Sequence, residues 1–475
     1  MDDHTDPHTD RPDADGRGWD DAVDTLAARV RRLARPLAGP ADLDPLLERV
    51  GDARFVLLGE ATHGTHEFYT WRTAITRRLV EEKGFSFVAV EGDWPDCYRV
   101  NRYVKGYPDA GDSAEEVLHA FNRWPTWMWA NREVAALAEW MREHNRPLPT
   151  ERHVGFYGLD VYSLWDSMRE VEQYLARIDP AAARQARRAY GCFDRFHHDE
   201  QAYAAATANA LVPTSCEDQA VAMLRALRAR APQYREDGRD AYFDAEQNAL
   251  VVQGAERYYR TMVRGGETSW NVRDRHMAET LDRLVAHHGN AGGAPAKAIV
   301  WEHNTHVGDA RYTPMRRSGA VNVGQLVREA HGEAPDRGDG VLIVGFGTHR
   351  GTVIAGEEWG EPMRRVPVPP AGPGTWEDVL HRAAQGGPGE GRDLLVVFDG
   401  SANGGVRGLE VPREHRAIGV VYNPEYERFG NWVPSLVPKR YDAFVFVDES
   451  RALDALHLTA DTADVAGMET YPSGV

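Results

Sequence analysis

The sequence predicts an α/β fold: a mainly parallel central sheet flanked by helices, with a helical insertion or subdomain bordering a cleft. Three observations carry this. Short apolar runs rich in branched residues alternate with stretches of helical period, the pattern of strand–helix–strand units. Two of these runs, at 54–58 and 298–301, end in clusters of Glu and His. Between 163 and 286 the strand signal gives way to long stretches rich in Ala, Arg, Glu and Gln.

In chain order, residues 1–21 are acidic and polar, lack the apolar core of a secretory signal, and read as a disordered tail. Residues 22–50 read as helix, with apolar residues three and four apart and a second short helix around 42–50. The first strand, 54–58, leads into a helix over 65–83. Phe68, Trp71, Ile75 and Leu79 share one face of it, and Gly84 stops it. A second strand at 87–90 ends in Glu91-Gly92-Asp93-Trp94, and a third at 154–159 ends in Asp160. After the helical stretch, a Gly/Ala/Pro loop at 289–296 returns the chain to strand at 298–301. Further strands are expected at 341–346, 394–398, 417–422 and 443–447, with Pro/Gly-rich loops at 366–374 and 385–392. The chain thus divides into a tail (1–21), a first core part (22–162), a helical insertion (163–290), a second core part (291–455) and a C-terminal tail (456–475).

Bulk properties exclude more than they identify. A chain of 475 residues carries a soft expectation of about three domains. With 42% apolar and 27% charged residues the chain has ample core for a globular protein. A net charge of -18 argues against nonspecific binding to nucleic acid or to an anionic membrane. It fits a cytoplasmic protein that handles a neutral or cationic small molecule. No uninterrupted apolar stretch is long enough to span a membrane. Cys97, Cys192 and Cys216 show no CxxC spacing, so neither a disulfide framework nor a thiolate metal site is expected, and a reducing compartment is the simplest setting. Oligomeric state is not readable.

The chemistry gathers where strands end, which is where α/β folds bind ligands. Glu60 and His63 lie three apart across a turn containing Gly64. A carboxylate that fixes the tautomer of a His makes it a good general base. The alternative for an isolated pair is helix capping. Glu91, at the end of an apolar strand, is placed to orient His63 or act as a second base, with Asp93 beside it; its structural alternative is a salt bridge to Arg72 or another arginine. Arg72 is a candidate oxyanion donor or a surface residue. His303-x-x-His306, near Glu302 and Asp309, also has the look of metal-ligand spacing, and Glu60 with His63 would complete a site for one divalent metal. No HExxH supports that reading. Asp274 reads as an early-turn acid favoured by the helix dipole. Trp124, Trp127 and Trp129 form an aromatic cluster for core packing or, second, for lining a cleft. There is no G-x-S-x-G elbow, phosphate loop or dinucleotide fingerprint.

At these residues the chain resembles the erythromycin esterase family. The resemblance runs from about residue 50 to 455 and rests on Gly59-Glu60-Ala61-Thr62-His63-Gly64, Glu91-Gly92-Asp93-Trp94, Asn271-Val272-Arg273-Asp274, Trp301-Glu302-His303-Asn304-Thr305-His306 and Gly347-Thr348-His349-Arg350-Gly351-Thr352. It implies an α/β core with a helical part beside a deep cleft, and a hydrolase that opens macrolactone rings without a required metal. It further implies that His63 activates water, supported by Glu60 and Glu91. His303, His306 and Arg72 would orient substrate or stabilise the tetrahedral intermediate. Contacts to substrate would come from His66, Asp93, Trp94, Trp127, Arg273, Glu302 and His349. One departure stands out: resistance esterases of this type carry a small residue where this chain has Glu302. The longer string through Arg311 resembles a broader branch whose members are named after succinoglycan biosynthesis. The expectation is therefore a hydrolase of small-molecule esters or lactones. The alternatives are a metal-dependent hydrolase using Glu60, His63, His303 and His306, and a non-enzymatic binder using the same cleft.

Overall fold

A computed structural model describes residues 16–208, 215–236, 238–262, 267–292, 295–333, 340–386, 393–398 and 408–457. Its strands are β1 (Ala34–Leu37), β2 (Phe55–Leu58), β3 (Phe87–Asp93), β4 (Gly155–Asp160), β5 (Ala298–Trp301), β6 (Val341–Ala355), β7 (Arg364–Val368), β8 (Asp393–Val397), β9 (Arg413–Arg416), β10 (Trp432–Ser435) and β11 (Ala443–Ser450). Nine of them form one sheet in the order β1-β8-β11-β6-β2-β5-β3-β4, with β7 paired to β6. From β11 to β4 every neighbour is parallel; β8 and β1 add an antiparallel edge.

The apolar runs are strands because both faces of the sheet are covered. Alternate residues point to opposite faces. Val56, Leu58, Val88, Val90, Ile299 and Trp301 enter one core, together with Phe68, Ile75 and Leu79 of the helix His66–Lys83. Phe55, Leu57, Phe87, Ala89, Ala298 and Val300 enter the other, against Met277, Leu281 and Leu284 of the helix Glu267–Gly292. Buried parallel strands therefore read as continuous hydrophobic runs. Gly84 ends the first of these helices with φ of 69°, a left-handed value that glycine adopts without strain.

Between Leu164 and Gly292 the described residues form seven α-helices, and those from Leu164 to Met262 pack around a third core of their own. The register matters for function. Leu58 pairs with Trp301 and Val344, Val90 with Trp301, and Asp93 with Asp160. The residues after these positions all emerge at the same carboxyl edge.

Several expectations are corrected. Helix Gly16–Leu33 begins inside the tail read as disordered, and residues 1–15 lie outside the described chain. Ala34–Leu37 is strand rather than helix, because it pairs with β8 and only Ala34 and Leu37 turn inward. β6 runs to Ala355, and β7 (Arg364–Val368), whose last three residues fall in the loop expected at 366–374, returns along its far half with Pro367 at an edge. Residues 417–422 make only isolated bridges. Their apolar side chains are buried because the segment closes over the sheet's carboxyl edge, where the Ile418 amide donates to the Ala61 carbonyl. Finally, Cys192 and Cys216, which the sequence left as thiols, form a disulfide at the start of the helix Glu217–Ala229. No spacing rule reveals a pair brought together by helix packing, and the disulfide removes the cysteine argument for a reducing compartment. Cys97 is free and buried. Among the described residues no helix is long and apolar enough to cross a membrane.

Candidate active site

The carboxyl edge of the sheet opens into a cleft with about 550 Å³ of space not filled by protein atoms, mouth included. Its walls carry His63, Glu91, Asp93, Asp96, Asp160 and Arg273, with Arg123, Trp124, Trp129, Tyr162 and Trp359 around them. They come from seven parts of the chain: the turn after β2, the ends of β3 and β4, the start of the helix Trp94–Val104, the loop before Arg132, the helix Glu267–Gly292 and the segment between β6 and β7.

His63 sits in the turn between β2 and the helix that begins at His66. Its Nδ1 lies 2.9 Å from Glu60 Oε1, and Arg72 Nη2 donates to Glu60 Oε2 at 2.7 Å. All three are essentially buried. Arg72 is thus neither on the surface nor in the cleft wall. Its guanidinium stacks on Tyr69 and Trp301, at 4.4 and 4.6 Å, and neutralises Glu60 from behind. Tyr69 Oη donates to the His63 carbonyl at 2.9 Å, so the turn is held through backbone as well as side chain.

Glu91 is the hub of a second network. Arg273 Nη2 donates to its Oε1 at 2.7 Å, and the His303 amide donates to its Oε2 at 2.9 Å. Of the arginines open to it, its ion-pair partner is therefore Arg273. Arg273 also holds Asp160 bidentately, Nε to Oδ1 at 3.0 Å and Nη2 to Oδ2 at 2.7 Å. Burial alone would push the Glu91 carboxyl up, but His306, Arg273, His63 and the His303 amide outweigh it and hold it well below the carboxylate range.

The two histidines after β5 differ. His306 places Nδ1 3.0 Å from Asp274 Oδ1, stacks on Trp270, and has Nε2 3.1 Å from Arg273 Nη1 and 3.4 Å from Glu91 Oε1. The neutral ring accepts from Arg273 at Nε2; the protonated ring turns that nitrogen toward Glu91. Burial opposes the charge, and Asp274 and Glu91 overcome it, so its pKa rises. Asp274 is therefore a buried partner of His306 in the third turn of the helix Glu267–Gly292, not an early-turn acid favoured by the dipole. His303 goes the other way: burial and the charges of His63 and His306 lower it well below the imidazole range. Its Nδ1 is 2.9 Å from Thr305 Oγ1 and accepts from the Thr305 amide at 3.3 Å. That leaves the proton of the neutral ring on Nε2, which has no protein partner among the described residues. The rings of His63 and His303 lie 4.9 Å apart. Glu302 is fully buried with no hydrogen-bond partner for either oxygen among the described residues, and burial next to Glu91 and Asp274 raises its carboxyl far above the usual range.

The remaining wall is acidic and aromatic. Arg123 Nε donates to Asp93 Oδ2 at 2.7 Å, and the guanidiniums of Arg123 and Arg273 lie 5.0 and 4.8 Å from the Tyr162 ring. Burial and the neighbouring Asp93 push Asp96 up to about 7. Gly92 is required beneath this wall: a Cβ there would meet Trp129 Nε1 at 2.9 Å and Cys97 Sγ at 3.0 Å.

Five expected substrate contacts lie elsewhere, the buried Glu302 among them. Trp94 packs in the core with its Nε1 donating to Asp244, and Trp127 is buried in the opposite core. His66 pairs with Glu133 at 2.6 Å, and His349 stacks on His381 at 3.8 Å. Among the described residues no group of three or more His, Cys, Asp or Glu side chains is disposed to hold a metal ion, the set Glu60, His63, His303 and His306 included. Sequence reasoning missed Arg123, Asp96, Tyr162 and Trp359 as cleft residues. None carries a local signal, because each reaches the cleft only through tertiary packing.

A family model described as erythromycin esterase matches residues 80–450. The chain belongs to the erythromycin esterase family. The matched stretch contains Glu91, Arg273, Asp274, Glu302, His303 and His306, while Glu60, His63 and Arg72 precede it. Among curated proteins, an erythromycin esterase type II of Escherichia coli is 22% identical over 318 residues, 64% of this chain and 72% of that relative. Solved structures share the fold across nearly the whole chain. A succinoglycan biosynthesis protein superimposes with a TM-score of 0.70 at 20% identity, covering 92% of this chain and 99% of the other. A Bacillus cereus protein gives 0.72 at 19%, with the same coverage. An erythromycin esterase mutant in its open conformation gives 0.61 at 17%, covering 91% and 98%. The erythromycin esterase fold is thus the α/β fold described above.

Proposed function

We propose that this family member is an ester or lactone hydrolase in which His63 is the general base. The observation that carries this is the Arg72–Glu60–His63 chain, buried behind the cleft and opening into it only at His63. Glu60 accepts Nδ1–H, which assigns Nε2 as the nitrogen that takes a proton from water, and the carboxylate stabilises the imidazolium that forms. Arg72 donates to the other Glu60 oxygen and so fixes the orientation of the carboxylate. The attacking oxygen bonds to the carbonyl carbon, and the carbonyl π pair moves to oxygen. His303 Nε2–H, on a ring 4.9 Å from that of His63, is the donor assigned to that oxyanion. When the tetrahedral intermediate collapses, the C–O bond to the leaving alcohol breaks and the proton on His63 passes to the alkoxide. Arg273 fixes Glu91 and Asp160 so that the acidic wall keeps its shape. The reaction balances with water alone, and no metal is required of it.

Family membership supports a small-molecule ester as substrate, and the aromatic wall fits an apolar acyl or macrocyclic body. The test is mass spectrometry of erythromycin and of a panel of simple esters and lactones after incubation with chelator-treated protein. Gain of one water by any member, reduced about 10²–10⁴-fold in His63→Ala, is the expected result. Near-full turnover by a folded His63→Ala protein would remove His63 as base. Activity that vanishes on chelation and returns with a divalent metal would replace this mechanism with a metal-dependent one.

A further inference from the structure

A second cleft, with about 880 Å³ of unfilled space, opens where the helix Trp94–Val104 meets the helices Leu164–Ile178 and Arg239–Met262. Pro95, Tyr98, Arg99 and Arg102 reach it from one helix face, three and four residues apart. Tyr174, Arg177 and Asp244 come from the facing helices, and Tyr107 closes one end. The three guanidiniums are not equivalent. Arg99 is neutralised by Asp96 at 3.1 Å and Glu170 at 3.5 Å. Arg102 donates only to the Pro108 carbonyl, at 3.2 Å, and lies 5.4 Å from the Tyr107 ring. Arg177 lies 6.0 Å from the Tyr174 ring. Among the described residues neither Arg102 nor Arg177 has a carboxylate at ion-pair distance, on a chain whose net charge is -18.

Two carboxyls among the described residues line the cleft: Glu170 is paired with Arg99, and Asp244 does not oppose an anion strongly. Asp244 Oδ1 accepts from Trp94 Nε1 at 2.8 Å and from Asn248 Nδ2 at 3.0 Å, and burial raises the group to about 7. Guanidiniums pair with carboxylates through planar bonds and also stack on π faces. Two such cations beside tyrosine rings, in a cleft of small-molecule size, define a ligand with a negative end and a flat apolar body.

We propose that this cleft is a second ligand site that takes an aromatic carboxylate. The acid group faces Arg102 and Arg177, and the ring system packs against Tyr107 and Tyr174. The site is independent of the hydrolase reading: its residues touch none of the atoms assigned to the reaction.

The test is titration calorimetry of the full chain with naphthalene-2-carboxylate, its neutral carboxamide and inorganic phosphate, repeated on Arg177→Ala and on Arg102→Ala/Arg177→Ala. Both arginines are partly or fully exposed, and unchanged thermal midpoints will show that the variants fold. The expected result is saturable binding of the carboxylate, weakened about tenfold or more by loss of the two cations or by the amide, since a charge-assisted bond contributes roughly 1.5–3 kcal/mol. Any of three results overturns the proposal: no binding up to millimolar carboxylate, equal binding of acid and amide, or unchanged affinity in the variants. Phosphate binding as tightly as the naphthoate would also overturn it, by removing the aromatic part. Should the double variant unfold, Arg177→Ala and the amide decide.

Discussion

Glu60 and His63 show what a sequence displays of a site. They are three residues apart, so one turn brings them into contact, and their pairing is written locally. The second network is not. Arg273 reaches Asp160 across 113 residues and Glu91 across 182, so its role as a clamp exists only after folding. Asp96 illustrates the same point with a measurable consequence. Its carboxyl stands at 3.8 in the unfolded reference and about 7 in the folded chain. The folded state therefore holds a proton that the unfolded state has released, and this contribution to stability is lost as pH rises from about 4 to about 7. Replacing it removes that loss: Asp96→Asn should flatten the fall in stability over this range and leave the protein more stable than wild type at pH 8. Urea midpoints at pH 4.5, 6 and 8 measure both slopes. Identical slopes in the two proteins would show that Asp96 titrates normally.

At the scale of elements, runs of four to six apolar residues were readable because the parallel strands are buried on both faces and need no polar alternation. β1 and the 417–422 segment were not, since one is set by pairing with β8 and the other by packing over a sheet edge. The turn after β2 carries a tighter constraint. Gly64 lies against β6 so closely that a Cβ would meet backbone atoms of Ile354, its carbonyl oxygen at 2.1 Å and its nitrogen at 2.7 Å. The Gly64 carbonyl accepts from the amides of Ile354 and Leu453. Neither neighbour is a flexible side chain, so the turn must move, and His63 precedes Gly64 directly. Gly64→Ala should lower turnover about 10²-fold, the effect of a displacement near 1 Å, while also destabilising the chain. Parallel measurement of rate and thermal midpoint separates displacement from unfolding. A folded Gly64→Ala protein with wild-type rate would mean that the turn adapts without moving the base.

For the whole molecule, the division of labour follows from chain order. The sheet supplies His63, Glu91 and Asp160 at one edge, and the helical stretch supplies Arg273 and Asp274, which hold them. Activity thus depends on helices that pack around a separate core, and the Cys192–Cys216 disulfide ties two of those helices together across 24 residues. Closing a loop of that length removes chain entropy from the unfolded state worth roughly 3 kcal/mol. Cys192→Ser/Cys216→Ser should therefore lower the stability of the helical stretch by about that amount, and reductant should do the same to wild type while leaving the variant unchanged. At moderate denaturant the loss should reach the cleft, because Arg273 and Asp274 lie on the helix Glu267–Gly292, which packs on the helix Arg239–Met262 and places Val272 in that core: activity and helical circular dichroism should fall together. Thiol titration of air-exposed native protein settles the premise. One reactive thiol after unfolding without reductant, from Cys97, is the expected count; three would show that the pair is not joined and that the helices stand without it.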